Sequence, residues 1–132
     1  MRRVLRSLIG RPLQLPPAML ERYPVLAEAS WRVGGLPPRV GGAFVGQRTV
    51  AGITLWNTVF LADGCVPSVE LLLHELGHVR QFAARRDFPL RYIWESARRG
   101  YHRNRFEREA QAFAEAELRR HPWPSPDPLT DV

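Results

Sequence analysis

At 132 residues the chain is long enough to bury one hydrophobic core and too short for two ordinary domains. Its single cysteine, Cys65, excludes an internal disulfide, so the fold is expected to form without an oxidising compartment. The net charge of +6 rests on arginine alone, with no lysine, and no apolar run approaches the length needed to cross a bilayer.

The amino terminus begins MRRVLRSLIGRPL, and Arg6 and Arg11 interrupt any secretory segment, so no signal peptide is read and a cytoplasmic location is expected. Val4, Leu5, Leu8 and Ile9 fall on one helical face before Gly10 and Pro12 end the pattern. A short docking helix is predicted there, against the competing reading of a basic anchor on a membrane surface. Pro16 and Pro17 open a second helix over Ala18 to Ser30, with Met19, Leu20, Tyr23, Leu26 and Ala27 as its apolar positions and Pro24 kinking or dividing it. From Val33 to Gly46 glycine and proline dominate, which predicts loop, with Ala43 to Val45 as a candidate strand.

Residues Thr49 to Ala62 are rich in β-branched and aromatic side chains and read as a hairpin turning at Trp56 and Asn57. Ser68 is placed to cap a helix from Val69 to about Arg85. Phe88 to Arg99 forms a shorter helix that Gly100 can close. Asn104 caps a last helix from Arg105 to Arg120, which Pro122 stops. The remaining HPWPSPDPLTDV is proline-rich and is expected to be a disordered tail, leaving residues 1–120 as the single domain.

The capped helix from Val69 carries HELGH at residues 74 to 78. Four residues make about one helical turn, so His74 and His78 project from the same face and can chelate one cation. Glu75 lies about 100° round the helix, beside such a cation but not on it, where a carboxylate can act as general base toward water. Leu71, Leu72, Leu73, Leu76 and Val79 make this a buried helix, and a buried helix seldom carries two histidines and a glutamate without a polar purpose. Hydrogen-bonded histidines in a helical bundle are the structural alternative. Gly77 costs about 1 kcal/mol against alanine in a helix, which suggests that another backbone passes close by.

A catalytic zinc site of this type takes three protein ligands. The position six residues after His78, where metzincins carry a histidine, is Ala84, which excludes that class. In gluzincins the third ligand is a glutamate on a later helix, and a resemblance to them would point to Glu107 or Glu109 of the last helix; the two differ in face, so one of them should coordinate. Glu107 also has capping-box spacing from Asn104, a competing role. Gln81, three residues after His78, can orient a ligand or simply meet solvent. Cys65 reads as an ordinary loop thiol.

HELGHVRQ followed by a helix bearing EREAQAFA resembles gluzincin-type metallopeptidases, over roughly residues 50 to 115. It is most similar to a group of small bacterial HExxH proteins of unassigned function, some found beside contractile injection systems, and more distantly to ImmA/IrrE-type peptidases. The resemblance implies one zinc ion per chain, held by His74, His78 and Glu107, with Gln111 where such families often place a group that supports a ligand histidine. It implies a minimal zincin-like α+β domain: a small antiparallel sheet packed on the metal-binding helix and further helices.

The expected activity is zinc-dependent hydrolysis of peptide bonds in a peptide or protein substrate, with Glu75 as general base. Tyr101 and His102, just before the last helix, are candidates to stabilise the oxyanion. The strand around Thr58 to Leu61 is a candidate edge for pairing with an extended peptide. Because both imidazoles must be neutral to bind metal, activity is expected to fall below about pH 6. Two rival functions are a non-catalytic zinc module within a larger assembly, and an arginine-rich partner- or nucleic-acid-binding protein. Arg80, Arg85, Arg86, Arg91, Arg98, Arg99, Arg103, Arg105 and Arg108 crowd one third of the chain, but no nucleic-acid motif accompanies them, so nucleic acid is not the expected partner.

Overall fold

The computed structural model describes residues 8–35, 37–38, 51–64 and 67–124. Val4 and Leu5 of the expected docking helix, the candidate strand at Ala43 to Val45, Cys65, and residues 125–132 of the tail lie outside them. Within that range Leu8 and Ile9 are exposed, not docked.

The chain enters through β1 (Arg11–Pro12) and α1 (Pro17–Arg22), the latter opened by proline at its first turn. Pro24 divides the predicted second helix: α1 stops at Arg22, and a separate 3-10 turn runs over Pro24–Glu28. Strand β2 (Ser30–Val33) follows. It takes Ser30 from the end of the predicted helix and Val33 from the start of the predicted loop, and it exists because it pairs with a distant partner. The predicted hairpin is β3 (Gly52–Leu55) and β4 (Thr58–Leu61), turning at Trp56 and Asn57 with Trp56 at φ 56°. A two-residue hairpin loop calls for positive φ, and here a tryptophan supplies it.

The sheet order is β1-β2-β4-β3, with β1–β2 and β3–β4 antiparallel but β2 and β4 parallel, Trp31 beside Val59 and Val33 beside Leu61. The fold is α+β as predicted, but the sheet is mixed, not purely antiparallel. The difference has a second consequence. Strand β4 is paired on both sides, so Thr58 to Leu61 offers no free edge to a peptide; among the described residues the sheet ends at β1 on one side and at β3 on the other.

Helices α2 (Val69–Ala84), α3 (Phe88–Arg99) and α4 (Arg105–Arg120) follow the predicted bounds closely. Ser68 Oγ accepts from Leu71 N at 3.1 Å, Asn104 Oδ1 from Phe106 N at 2.8 Å, and Gly100 ends α3 at φ 81°. Leu72, Leu73, Leu76 and Val79 of α2 meet Val59 and Leu61 of the sheet, Met19, Tyr23 and Leu26 of the amino-terminal segment, and Ala114 of α4. At the α2–α4 crossing a Cβ on Gly77 would stand 2.9 Å from Ala110 Cα, so the second backbone expected at this glycine is there.

The tail does not leave the domain at residue 120. Trp123 packs on the core with its ring tilted against Tyr23, Arg22 donates to the Pro122 carbonyl, and the Tyr23 hydroxyl donates to the His121 carbonyl. Proline richness misled here because a single tryptophan supplies enough apolar area to anchor the strap.

Candidate metal centre

Helix α2 presents His74 and His78 one turn apart, and α4 crosses it so that Glu107 faces both. Glu107 Oε2 lies 2.9 Å from His74 Nε2, and Oε1 lies 3.1 Å from His78 Nε2. These three residues form a cluster whose ligand atoms all lie within 4.8 Å of one another. Zinc bonds of about 2.0–2.1 Å in a tetrahedral arrangement put neighbouring ligand atoms about 3.3 Å apart. The observed separations fall a few tenths of an ångström inside that figure, so small side-chain rotations open the cluster to a cation. The donor set of two imidazoles and a carboxylate suits divalent transition metals, zinc among them.

Which ring nitrogen faces the cluster is decided by two glutamines. His74 Nδ1 lies 2.9 Å from Gln111 Oε1, and His78 Nδ1 lies 2.8 Å from Gln81 Oε1. Each amide is oriented by its other end: Gln111 Nε2 donates to Glu70 Oε1 at 2.6 Å, and Gln81 Nε2 donates to the Phe106 carbonyl at 2.9 Å. With both amide oxygens turned toward the rings, each Nδ1 carries a hydrogen and donates it, leaving Nε2 for a ligand. The structure thus puts Gln111 beside His74, and it assigns Gln81 the orienting role over solvent contact.

The Asn104 cap does not recruit Glu107. Both Glu107 oxygens are engaged elsewhere, and the third contact comes from α3, where the Tyr92 hydroxyl donates to Oε1 at 2.6 Å. Glu109 is exposed and stands outside the cluster.

Burial opposes charge on His78, but its hydrogen bond to Glu107 and the nearby Glu75 and Glu107 carboxylates outweigh that, raising its pKa to about 9. The same contest raises His74. On Glu107, burial pulls the pKa up, and the hydrogen bonds from His74 and His78 override it and hold the carboxyl well below its usual range. Protons shared between the rings and the carboxylate therefore occupy the place a cation would take. Tyr92 is pushed above its ordinary value by burial and then by the Glu107 charge, so it stays a hydrogen-bond donor.

Glu75 is buried, and its carboxylate Oε2 accepts from Thr54 Oγ1 of β3 at 2.8 Å. Gly52, on the same strand, passes so close that a Cβ there would lie 3.4 Å from the Glu75 carboxyl carbon. His74, Glu75 and Tyr92 share the wall of a cavity of about 840 Å³, which β3 borders through Gly52 and which Tyr101 and His102 also line. The sequence-predicted residues His74, Glu75, His78, Glu107 and Gln111 thus come together, with Tyr101 and His102 at the rim.

No family model, curated relative or solved structure matches this chain. The assignment of the site therefore rests on its own chemistry.

Sequence reasoning missed Thr54 and Tyr92. Nothing local marks Thr54, whose partner is 21 residues away. Tyr92 had a faint signal: Phe88, Tyr92 and Glu95 share the inward face of α3, and a tyrosine on such a face needs a partner for its hydroxyl.

Proposed function

We propose that this protein is a zinc-dependent hydrolase of peptide bonds, of the gluzincin kind. One observation carries the proposal: two histidine Nε2 atoms, each fixed by a glutamine on its other nitrogen, converge on one carboxylate beside a cavity that His74 and Glu75 line. His74, His78 and Glu107 would hold the ion. When bound, zinc supplies positive charge that polarises a carbonyl and makes water acidic near neutral pH.

The remaining steps belong to the chain. Glu75, held by Thr54, accepts the proton of the attacking water and returns it to the leaving amine. Tyr101 and His102 at the rim are candidate donors to the developing oxyanion. Tyr92 fixes Glu107 in rotamer and position. An extended substrate would pair its backbone with β3, an edge strand among the described residues, which borders the cavity at Gly52.

The test separates metal from catalysis. Purified protein should carry about one zinc per chain by elemental analysis, and His74→Ala or Glu107→Ala should lose it. Against a mixed peptide library read by mass spectrometry, wild type should cleave, while Glu75→Gln should keep its zinc and lose turnover. Zinc-loaded wild type that leaves every peptide intact would support a metal site serving the fold or a partner and would refute hydrolysis.

A further inference from the structure

Helix α3 buries only one narrow face, through Phe88 and Glu95. On its opposite side Leu90, Ile93 and Trp94 stand 73%, 52% and 63% exposed. Their spacing of three and four residues makes one continuous apolar stripe, which the exposed Ala97 extends by another turn. Three large apolar side chains aligned in this way are not the scattered exposure of an ordinary surface.

The two borders of the stripe differ. Arg91 and Arg98 lie about 80–100° round the helix from Leu90 and form one border. On the other, Ile93 and Ala97 also line the cavity of the metal centre. Around the ends of the helix stand Arg85, Arg86, Arg99 and Arg103, all exposed. Nearby negative charge is already engaged: Asp87 holds Arg91 at 2.6 Å, and the buried Glu95 faces Arg99 at 3.7 Å. Among the described residues, Arg85, Arg86, Arg98 and Arg103 make no ion pair with a described carboxylate.

We propose that α3 is an interfacial helix that docks this protein on an anionic phospholipid surface. Tryptophan and aliphatic side chains on one face with arginines beside them match what a bilayer surface offers, an apolar layer beneath an array of phosphates. Arginine suits phosphate because its guanidinium donates two parallel hydrogen bonds to the oxygens. A nucleic acid would satisfy the arginines and leave Leu90 and Ile93 without an apolar partner, since neither has a ring to stack on a base. Docked in this way, the stripe lies in the headgroup boundary and the cavity mouth opens along the lipid surface. The inference does not depend on the metal centre being loaded or active.

Vesicle flotation of the full chain tests it. Vesicles of phosphatidylcholine with about one third phosphatidylglycerol should carry the protein, and vesicles of phosphatidylcholine alone should not. Salt at about 0.5 M should release most of it. Binding should shift tryptophan emission to the blue, and Trp94→Phe should keep the binding while losing most of that shift. Leu90→Ser/Trp94→Ser should weaken binding about tenfold or more. Arg86→Gln/Arg98→Gln, which leaves the stripe intact, should weaken binding to the anionic vesicles, and if the serine variant fails to fold, unchanged binding by this variant overturns the proposal. The proposal is overturned if wild type ignores anionic vesicles or if folded Leu90→Ser/Trp94→Ser binds them as well as wild type. It is equally overturned if wild type is retained by duplex DNA but not by vesicles, or if it ignores vesicles and is a dimer that the serine variant converts to monomer.

Discussion

Gly77→Ala opposes two physical effects at one position and lets the structure choose between them. Helix propensity alone predicts a gain of about 1 kcal/mol from alanine in the middle of α2. The α2–α4 crossing predicts a loss, because the new methyl would sit 2.9 Å from Ala110 Cα, 3.1 Å from its Cβ and 3.3 Å from its carbonyl oxygen. Two of these three atoms are backbone, so relief requires moving α4 itself, at an overpacking cost of about 1–3 kcal/mol. The net expectation is a loss of up to about 2 kcal/mol, or a fall in Tm of up to about 8 °C. Exposed Ala83 on the same helix supplies the control: Ala83→Gly measures the propensity term alone, at about 1 kcal/mol. Because Glu107 lies one turn before Ala110 on α4, Gly77→Ala should also weaken zinc binding by about tenfold. Denaturant unfolding of the metal-free protein and calorimetric zinc titration read the two effects. A Gly77→Ala protein more stable than wild type by the full gain of about 1 kcal/mol that propensity alone predicts would refute a seam set by backbone contact at this glycine.

The remaining expectations concern protons and the supports of the site. In metal-free protein the raised His78 contributes stability that is full below its unfolded pKa of about 6.5 and lost as pH climbs through about 9, and the raised His74 acts in the same direction. The lowered Glu107 contributes stability present above about 4.5 and lost as pH falls through its depressed value, so the cluster supports the fold most between about pH 4.5 and 6.5. Zinc must displace those protons, so its affinity should rise about tenfold per pH unit for each proton released, up to about pH 9, as titrations at stepped pH would show. Affinity independent of pH from 6 to 9 would refute ligation by these imidazoles, with the range taken from about the ordinary and raised histidine values. Tyr92→Phe removes a hydrogen bond to a carboxylate, and both a loss of about 1.5–3 kcal/mol in metal-free stability and weaker zinc binding are expected. Asn104→Ala should cost more than a simple cap, about 2–4 kcal/mol by urea unfolding, because the buried carboxamide also donates to the Tyr92 carbonyl and Ser96 Oγ of α3.

The parts of the molecule legible in sequence are those whose signals are local. Ser68, Asn104 and Gly100 mark helix ends through hydrogen bonds or dihedral angles within a few residues, and the bounds of α2, α3 and α4 followed. His74 and His78 were legible for the same reason, since one helical turn decides their common face. Strands β1 and β2 were not, because two- and four-residue strands owe their existence to partners elsewhere in the chain, and β2 pairs with a strand 28 residues away. The choice of Glu107 over Glu109 needed the crossing of α4 on α2, and the carboxylate contacts of Thr54 and Tyr92 needed the docking of β3 and α3. The proline-rich end misled because composition does not register one tryptophan finding a tyrosine 100 residues earlier.

Ligands drawn from two helices give the proposed ion a mechanical role beside its chemical one. A cation gripped by His74, His78 and Glu107 would close a loop of 33 residues, as a disulfide would, yet this clasp would open to acid or a chelator. Survival of the loaded molecule among proteases would then follow the rate at which the ion departs, and a cell could shorten the protein's lifetime by starving it of metal.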